Sequence, residues 1–379
     1  MRADLSPAVL RFAPSPNGRL HLGHAYSALT NERVAARTQG RLLLRMEDLD
    51  RTRSKPAFEA AIFDDLGWLG VRFEPAVRRQ SEHAEDYAAA LGRLRELGLA
   101  YPCFCSRAEV ARASTGRDPD GAPLYSGACR LLAADARAAR LARGEKAAWR
   151  LDVGAALKSR RSIVDAAAGR VPRSASAATE ARLPPARGVS YGIRLKRSSL
   201  VIPGGPPVRP GIPGPSAGAR MESGSAASQP SGMTGTVQAN PVSGVLSWEE
   251  WGEGEIAAET QAAPALWGDV VLAGRDLAAS YHLAVTVDDA LQGVTDVVRG
   301  GDLFAATSVH RLLQDLLGLP APRYRHHRLV LDSEGGKLSK SRSSPALADL
   351  RERGVSAADI RAWLGFGGEA SRPPGLRIS

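Results

Sequence analysis

Near its start the chain reads Leu10-Arg11-Phe12-Ala13, then Pro14-Ser15-Pro16-Asn17-Gly18, then His21-Leu22-Gly23-His24. A short strand, an irregular turn forced by two prolines and a glycine, and a helical apolar period from Leu20 to about Thr38 restrict the fold more than any other stretch. Gly40 is the expected helix stop. Arg41 to Met46 follows as a buried strand and ends in Glu47-Asp48-Leu49-Asp50. Ser54 is positioned to cap a second helix with apolar positions Phe58, Ile62, Leu66 and Leu69. Strand, helix, strand, helix predicts an α/β fold built on a parallel sheet with crossover helices.

A helix that opens directly after a strand aims unpaired backbone N–H groups and a partial positive charge at the sheet edge, which suits a phosphate. Gly23 leaves that end without a side chain, so a nucleotide can approach the backbone. His21 and His24 lie one turn apart and face the same way. About three hundred residues later comes Lys337-Leu338-Ser339-Lys340-Ser341. Two imidazoles and two ammonium groups brought to one triphosphate can stabilise displacement between the α and β phosphates of ATP, with Mg2+ carried in by the nucleotide and no protein nucleophile. The candidate catalytic residues are therefore His21, His24, Lys337 and Lys340, and the ATP-binding set is His21, Gly23, His24 and Lys340. Either string alone reads equally well as a surface helix start or a solvated basic loop, and only their joint occurrence in an α/β frame points to a site.

The chain has 379 residues and a formal charge of +10. Residues 160–244 hold eleven Lys/Arg against three Asp/Glu, so most of that charge belongs to one segment and argues little for nucleic-acid binding by the rest. The same segment has eleven Pro, twelve Gly, no Trp and no Phe, too little apolar surface to offset its chain entropy, and reads as a disordered insertion. Order resumes at Leu246-Ser247-Trp248. Trp267 to Leu272 and His282 to Val287 read as strands, Thr307 as the cap of a helix carrying Val309, Leu312, Leu313 and Leu316, and Arg328 to Leu331 as a strand leading into the lysine loop. Ser356 and Asp359 have the spacing of a capping box. No apolar run approaches the roughly 18 residues of a membrane span. The start of the chain lacks a secretory apolar stretch. Three clustered cysteines, Cys103, Cys105 and Cys129, are no disulfide framework, so a reducing cytoplasm is expected.

The paired strings resemble the signatures of class I aminoacyl-tRNA synthetases, with Leu338 where methionine is common, and Arg11 to Asp50 resembles the glutamyl branch. The resemblance covers about residues 8–157 and 246–345. It implies a Rossmann-type catalytic domain (1–100 and 266–345) split by a zinc-containing α/β subdomain (101–157 and 246–265), an insertion without counterpart (158–245) and a short helical tail (346–379). It also implies ATP and L-glutamate as substrates. Glu47 matches the residue that holds the substrate ammonium, Arg299 an arginine facing the side-chain carboxylate, and Arg11 and Ser15 substrate contacts, with Phe12, Ala13, Pro14 and Tyr281 lining the same pocket. Against these roles, Arg11 can pair with Asp48 or Asp50, and Tyr281 can be a core aromatic. Buried arginine opposes glutamine, whose NH2 group offers it no acceptor.

Cys103-Phe104-Cys105 and Cys129 look like part of a structural zinc site, against a reading as three buried free thiols. No histidine lies between His83 and His282, which leaves Tyr101, Asp118, Asp120 and Tyr125 as local fourth donors. Tyr125 is the easiest to place, and a shortened glutamyl branch shows the same Cys-x-Cys, Tyr-x3-Cys pattern. Thirty-nine residues follow Lys340, fewer than the roughly 50 of a usual domain, so the anticodon-reading body of full-length glutamyl enzymes is not expected. The resemblance to the shortened branch implies transfer of activated glutamate to queuosine at the wobble position of tRNA(Asp), by a monomer with no membrane partner. The competing expectations are a truncated enzyme charging a tRNA 3′ end and a non-catalytic RNA-binding relative.

Overall fold

The strands of the computed structural model are β1 (Val9–Phe12), β2 (Arg41–Met46), β3 (Val77–Arg79), β4 (Ala100–Cys103), β5 (Ala148–Leu151), β6 (Ser247–Trp251), β7 (Ala257–Gln261), β8 (Val271–Ala273), β9 (Asp296–Gly300), β10 (Arg323–His327), β11 (Val330–Leu331) and β12 (Arg377–Ile378). The helices are α1 (Leu22–Arg37), α2 (Pro56–Trp68), α3 (Ala84–Glu96), α4 (Arg107–Ala113), α5 (Ala134–Ala142), α6 (Val153–Ala167), α7 (Tyr281–Leu291), α8 (Thr307–Leu317), α9 (Leu347–Glu352) and α10 (Ala357–Trp363). The structure describes residues 7–167, 245–252, 257–332, 338, 345–367 and 377–378. Lys337, Lys340 and the insertion from residue 168 to 244 lie outside the described residues.

Strands β1, β2 and β3 form a parallel sheet in the order β1-β2-β3. Strands β9 and β10 pair in parallel. The two sets meet where Thr295 N donates to Val9 O at 3.0 Å and Val9 N to Thr295 Oγ1 at 2.9 Å. The parallel strands therefore run β3-β2-β1-β9-β10, the order of a doubly wound nucleotide-binding fold, which reverses direction between β1 and β9. Such folds bind ligands outside the strand C-termini at that reversal. Strand β10 also pairs with β6, and β6 with antiparallel β7. A separate antiparallel sheet, β4-β5-β8, ends in Cys103, next to the loops that hold Cys105 and Cys129.

The first crossover follows its sequence. Helix α1 buries Leu22, Ala25, Ala28, Leu29 and Ala35 against the sheet, the spacing of one face. The tail packs on the same core, where Leu347, Ile360 and Leu364 join Leu10, Leu44, Ile62 and Leu66. Arg361 Nη1 bonds Glu32 at 2.8 Å and its Nε the Leu69 carbonyl at 2.8 Å, which ties α10 to α1 and α2. The Ser356–Asp359 capping box forms as expected.

Several expectations need correction. Helix α2 is not capped by Ser54: its N-cap is Lys55, without a side-chain bond, and Pro56 sits at the first turn, where its missing N–H costs nothing. Thr307 begins α8 rather than capping it, because its hydroxyl is engaged by Arg299. His282 to Val287 is helix, not strand. Leu283 through Asp289 are buried consecutively among α3, α8 and β8, so no polar face reveals the helical period. Only Val271 onward of the segment Trp267–Leu272 is strand, preceded by a short 3-10 turn. Of Arg328–Leu331, strand covers Val330–Leu331. Helix α6 runs to Ala167, past the expected start of the insertion at 158.

Gly40 turns α1 into β2 beneath the sheet. A Cβ there would collide with the Ala8 carbonyl oxygen and lie 2.8 Å from Thr38 Oγ1. The Ala8 carbonyl cannot retreat, since it accepts from Arg41 N at 2.7 Å. Gly40→Ala is therefore expected to lower stability by about 2 kcal/mol, read as a lower midpoint in denaturant unfolding; an unchanged midpoint would show that the turn yields freely.

Candidate active site

The strand C-termini at the β1/β9 reversal open on a cavity of about 610 Å3. It brings together residues from both ends of the chain: Arg11 to Ser15, His21, Gly23, His24, Glu47, Tyr281 and Arg299 all line it. Leu338, between the two lysines of the basic loop, lines it as well and is buried in the main core.

At the head of α1, Gly23 N donates to His21 Nδ1 at 3.1 Å and His21 N to His24 Nδ1 at 3.2 Å. Both Nδ1 atoms are acceptors, so each neutral ring carries its proton on Nε2. The ring centroids lie 3.9 Å apart. Gly23 has a further reason to be glycine, because a Cβ there would press on His21 Cε1 at 3.0 Å.

The floor is a buried charge network. Asp289 of α7 accepts from Arg11 Nε at 2.9 Å and from Arg45 Nη1 at 2.7 Å. Arg45 also reaches Gln292 at 3.0 Å and Glu47 at 3.4 Å. Burial pushes the Asp289 carboxyl up, but the two guanidinium groups outweigh it and hold it below the usual range. Glu47 shows the opposite balance: burial leads, Arg45 and Arg11 pull back, and its carboxyl stays above the usual range. Neither alternative expected for Arg11 occurs. Asp48 accepts from Ser81 N at 2.8 Å and Ser81 Oγ at 2.6 Å, while Asp50 holds Thr52 and Arg53 at 2.6 Å each. The Phe12 ring packs into the core and stacks on Phe73, although the residue borders the cavity.

Arg299 is 5 % exposed and makes five hydrogen bonds. Its Nε donates to His326 Nε2 at 3.1 Å, its Nη1 to His310 Nδ1 at 3.1 Å and Tyr281 OH at 3.4 Å, and its Nη2 to Thr307 Oγ1 at 2.7 Å and Leu303 O at 3.2 Å. Every acceptor is neutral or able to be so. Among the described residues no carboxylate is paired with Arg299, in contrast to Arg11 and Arg45. Tyr281 is thus not merely a core aromatic, since its hydroxyl meets Arg299 at the cavity wall.

Asp289, Arg45, His310, His326 and Thr307 were not legible as site residues. The one available signal was the pair Asp288-Asp289 within an apolar run. Asp288 is fully buried and bonds Arg78 at 2.7 Å, Gln80 at 2.8 Å and Tyr87 at 2.9 Å, which locks α7 to β3 and α3.

At the edge of the β4-β5-β8 sheet, the three cysteine sulfurs lie within 4.8 Å of one another. Phe104 N donates to Cys129 Sγ at 3.3 Å, and Tyr125 OH lies 3.7 Å from Cys105 Sγ and accepts from Cys129 N at 2.7 Å. Two of the competing fourth donors are committed elsewhere. Tyr101 OH donates to Asp269 at 2.5 Å, and Asp118 accepts from its own turn, Asp120 N at 3.0 Å and Ala122 N at 2.8 Å.

A family model described as tRNA synthetases class I (E and Q), catalytic domain, matches residues 8–181 and 232–364. A glutamyl-Q tRNA(Asp) synthetase of Rhodobacter capsulatus is 36 % identical over 364 residues, 94 % of this chain and 100 % of the relative. One from Symbiobacterium thermophilum is 32 % identical over 94 % of this chain and 85 % of the relative. A crystal structure of a glutamate-tRNA synthetase from Elizabethkingia anophelis shares the fold with a TM-score of 0.59 at 21 % identity, covering 95 % of this chain and 61 % of that one. Among the described residues no helix is long and apolar enough to cross a membrane.

Removing Asp289's charge would strip the buried Arg11 and Arg45 of the carboxylate they share. Asp289→Asn is expected to cost about 3 kcal/mol at neutral pH, measured by denaturant unfolding. Because the folded carboxyl titrates below its ordinary value, its contribution is complete above about pH 4. The gap between wild type and variant should close as pH falls through the folded value; a gap that is constant with pH would mean the ion pairs contribute nothing.

Proposed function

Because the chain belongs to the class I tRNA synthetases of the E and Q type, in their catalytic-domain family, we propose that it activates glutamate with ATP and transfers it to queuosine at the wobble position of tRNA(Asp). The observation that carries the amino-acid choice is Arg299, a buried cation in the cavity wall with no carboxylate partner among the described residues. Its longest contact, Nη1 to Tyr281 OH at 3.4 Å, is the corner that a substrate carboxylate can take, accepting from both groups. The substrate ammonium goes to Glu47, whose ion-pair contact with Arg45 is a long one at 3.4 Å. The relatives named for glutamyl-Q tRNA(Asp) synthesis support the same reading of the acceptor.

The enzyme is a ligase and the chemistry runs in two steps. The α-carboxylate of glutamate attacks the α-phosphorus of ATP and pyrophosphate leaves. A hydroxyl of the queuosine cyclopentene-diol then attacks the acyl carbon, AMP leaves, and the hydroxyl proton passes to solvent or phosphate. His21 and His24 present Nε2–H donors where charge grows on the phosphate oxygens, fixed in that tautomer by backbone N–H groups before the reaction starts. Leu338 at the cavity supports the assignment of Lys337 and Lys340 to the leaving pyrophosphate. Mg2+ accompanies ATP.

Glutamate should support exchange of pyrophosphate into ATP without tRNA, and Lys340→Ala should reduce that exchange at least 100-fold while leaving the fold intact. Label from glutamate should enter queuosine-bearing tRNA(Asp) that lacks its 3′ adenosine. Exchange that requires tRNA, or incorporation lost with the 3′ adenosine, would favour a conventional charging enzyme, and no exchange at all a non-catalytic relative.

Cys103, Cys105, Cys129 and Tyr125 fit a tetrahedral zinc site in donor type and in closeness, and the ion would cross-link the end of β4 to the loop before α5 as a structural element. Without a cation, burial pushes the Cys105 thiol up to about 11. The purified protein is expected to carry one zinc per chain by elemental analysis. Cys129→Ser should lower both the metal content and the melting temperature; full zinc in that variant would remove Cys129 from the ligand set.

A further inference from the structure

Arg299 lies at the centre of a polar chain that crosses five elements: His282 on α7, His310 on α8, Arg299 on β9, His326 on β10 and Glu250 on β6. Guanidinium only donates, so the ring nitrogens that face it, His310 Nδ1 and His326 Nε2, must both be lone-pair acceptors. The proton of His310 then sits on Nε2 and is given to His282 Nδ1 at 3.1 Å. The proton of His326 sits on Nδ1 and is given to Glu250 Oε2 at 2.7 Å. His310 is 2 % exposed, so neither solvent nor a mobile side chain replaces these partners. Burial, and then the Arg299 charge, keep His310 far below its ordinary pKa, and His282 is driven down to about 4 by the same two causes. The largest charge effects on His310 come from Arg299, His282, Arg11 and His326, and the Tyr281 ring packs against it at 5.6 Å. The nearest acid along the chain, Glu250, is held one imidazole away from the guanidinium.

We propose that His310 is a positioning residue that sets specificity, binding Arg299 through a neutral acceptor so that the guanidinium is fixed in place while its charge stays unspent for an incoming carboxylate. A carboxylate at this position would orient Arg299 equally well but would pair with it, and a glutamate side chain would then meet a neutral pair in place of a cation. The inference rests on the reading of Arg299 as the contact for the substrate's side-chain carboxylate.

Four proteins decide the matter, the wild type and H310N, H310L and H310D, each assayed by pyrophosphate exchange with glutamate and with glutamine. In H310N the amide oxygen stands in for Nδ1, and the KM for glutamate is expected to rise no more than about tenfold. H310L, without an acceptor, should raise it at least tenfold above H310N at similar kcat. H310D should raise the KM for glutamate at least 100-fold while glutamine changes by less than tenfold, so the preference between the two amino acids collapses. Equal losses with both amino acids in H310D, or a retained glutamate preference, overturn the inference, because a packing role would affect both substrates alike. If H310D does not fold, equal KM values for H310N and H310L overturn it. A wild type without glutamate-dependent exchange overturns the functional reading and this inference with it. A glutamate-specific wild type whose H310D variant keeps its preference overturns this inference alone.

Discussion

One carboxylate, Asp289, accepts from two arginines that leave the sheet on neighbouring strands. Arg11 comes from β1 and Arg45 from β2, and both reach a helix about 250 residues further along the chain. With all three groups buried, neither the acid nor the bases can be removed without stranding charge in a low-dielectric interior. The interaction therefore fixes the height of α7 over the sheet. That height sets where Tyr281, the first residue of α7, meets Arg299, and where Glu47, two residues past Arg45, faces the cavity. Asp288, its neighbour in sequence, holds the other side of the same helix to Arg78, Gln80 and Tyr87.

Two kinds of arginine follow from this arrangement, and they divide the labour of the cavity. Arg45 has its charge paired with Asp289, Glu47 and Asp288 and serves as structure. Arg299 is surrounded by imidazole, hydroxyl and carbonyl acceptors and remains a net positive charge at the wall. Arg11 is intermediate, with its Nε committed to Asp289 and the residue still bordering the cavity. The desolvation cost of a buried, unneutralised guanidinium is borne by five hydrogen bonds and offset again when an anion binds. On the proposed reading, this electrostatic profile suits an amino acid carrying an extra carboxylate before any substrate arrives.

The end of the cavity proposed to hold the adenylate is organised by different means. There the backbone at the head of α1 fixes two imidazole tautomers, and the helix terminus adds its own partial charge. Both devices depend on the β1/β9 reversal, where the strand order changes direction and the loops of two halves of the sheet part to leave a crevice. The cysteine-bearing sheet, β4-β5-β8, interrupts the chain between these halves, yet among the described residues it contributes none to the cavity lining.

The local chemistry of the first fifty residues was legible in sequence because its causes are local. Prolines break the strand, His21 and His24 sit one turn apart, and a run of small and apolar residues makes α1 amphipathic. Arg299, Glu47, Tyr281 and the cysteine cluster were reached through a family likeness joined to residue chemistry, and the structure brings each set together. Helix α7 was misread because burial on every side erases the polar face from which period is judged, and β-branched Val285, Thr286 and Val287 then imitate a strand. The partner of Arg11 was missed for a related reason: sequence proximity favoured Asp48 and Asp50, whereas the actual carboxylate arrives from residue 289. What the sequence determined by itself was which elements could form and which side chains could bear charge toward a phosphate or a carboxylate. Which charges are cancelled inside the protein and which are left for a ligand was decided only by tertiary structure, because neutralisation depends on distances between residues that the chain alone leaves hundreds of positions apart.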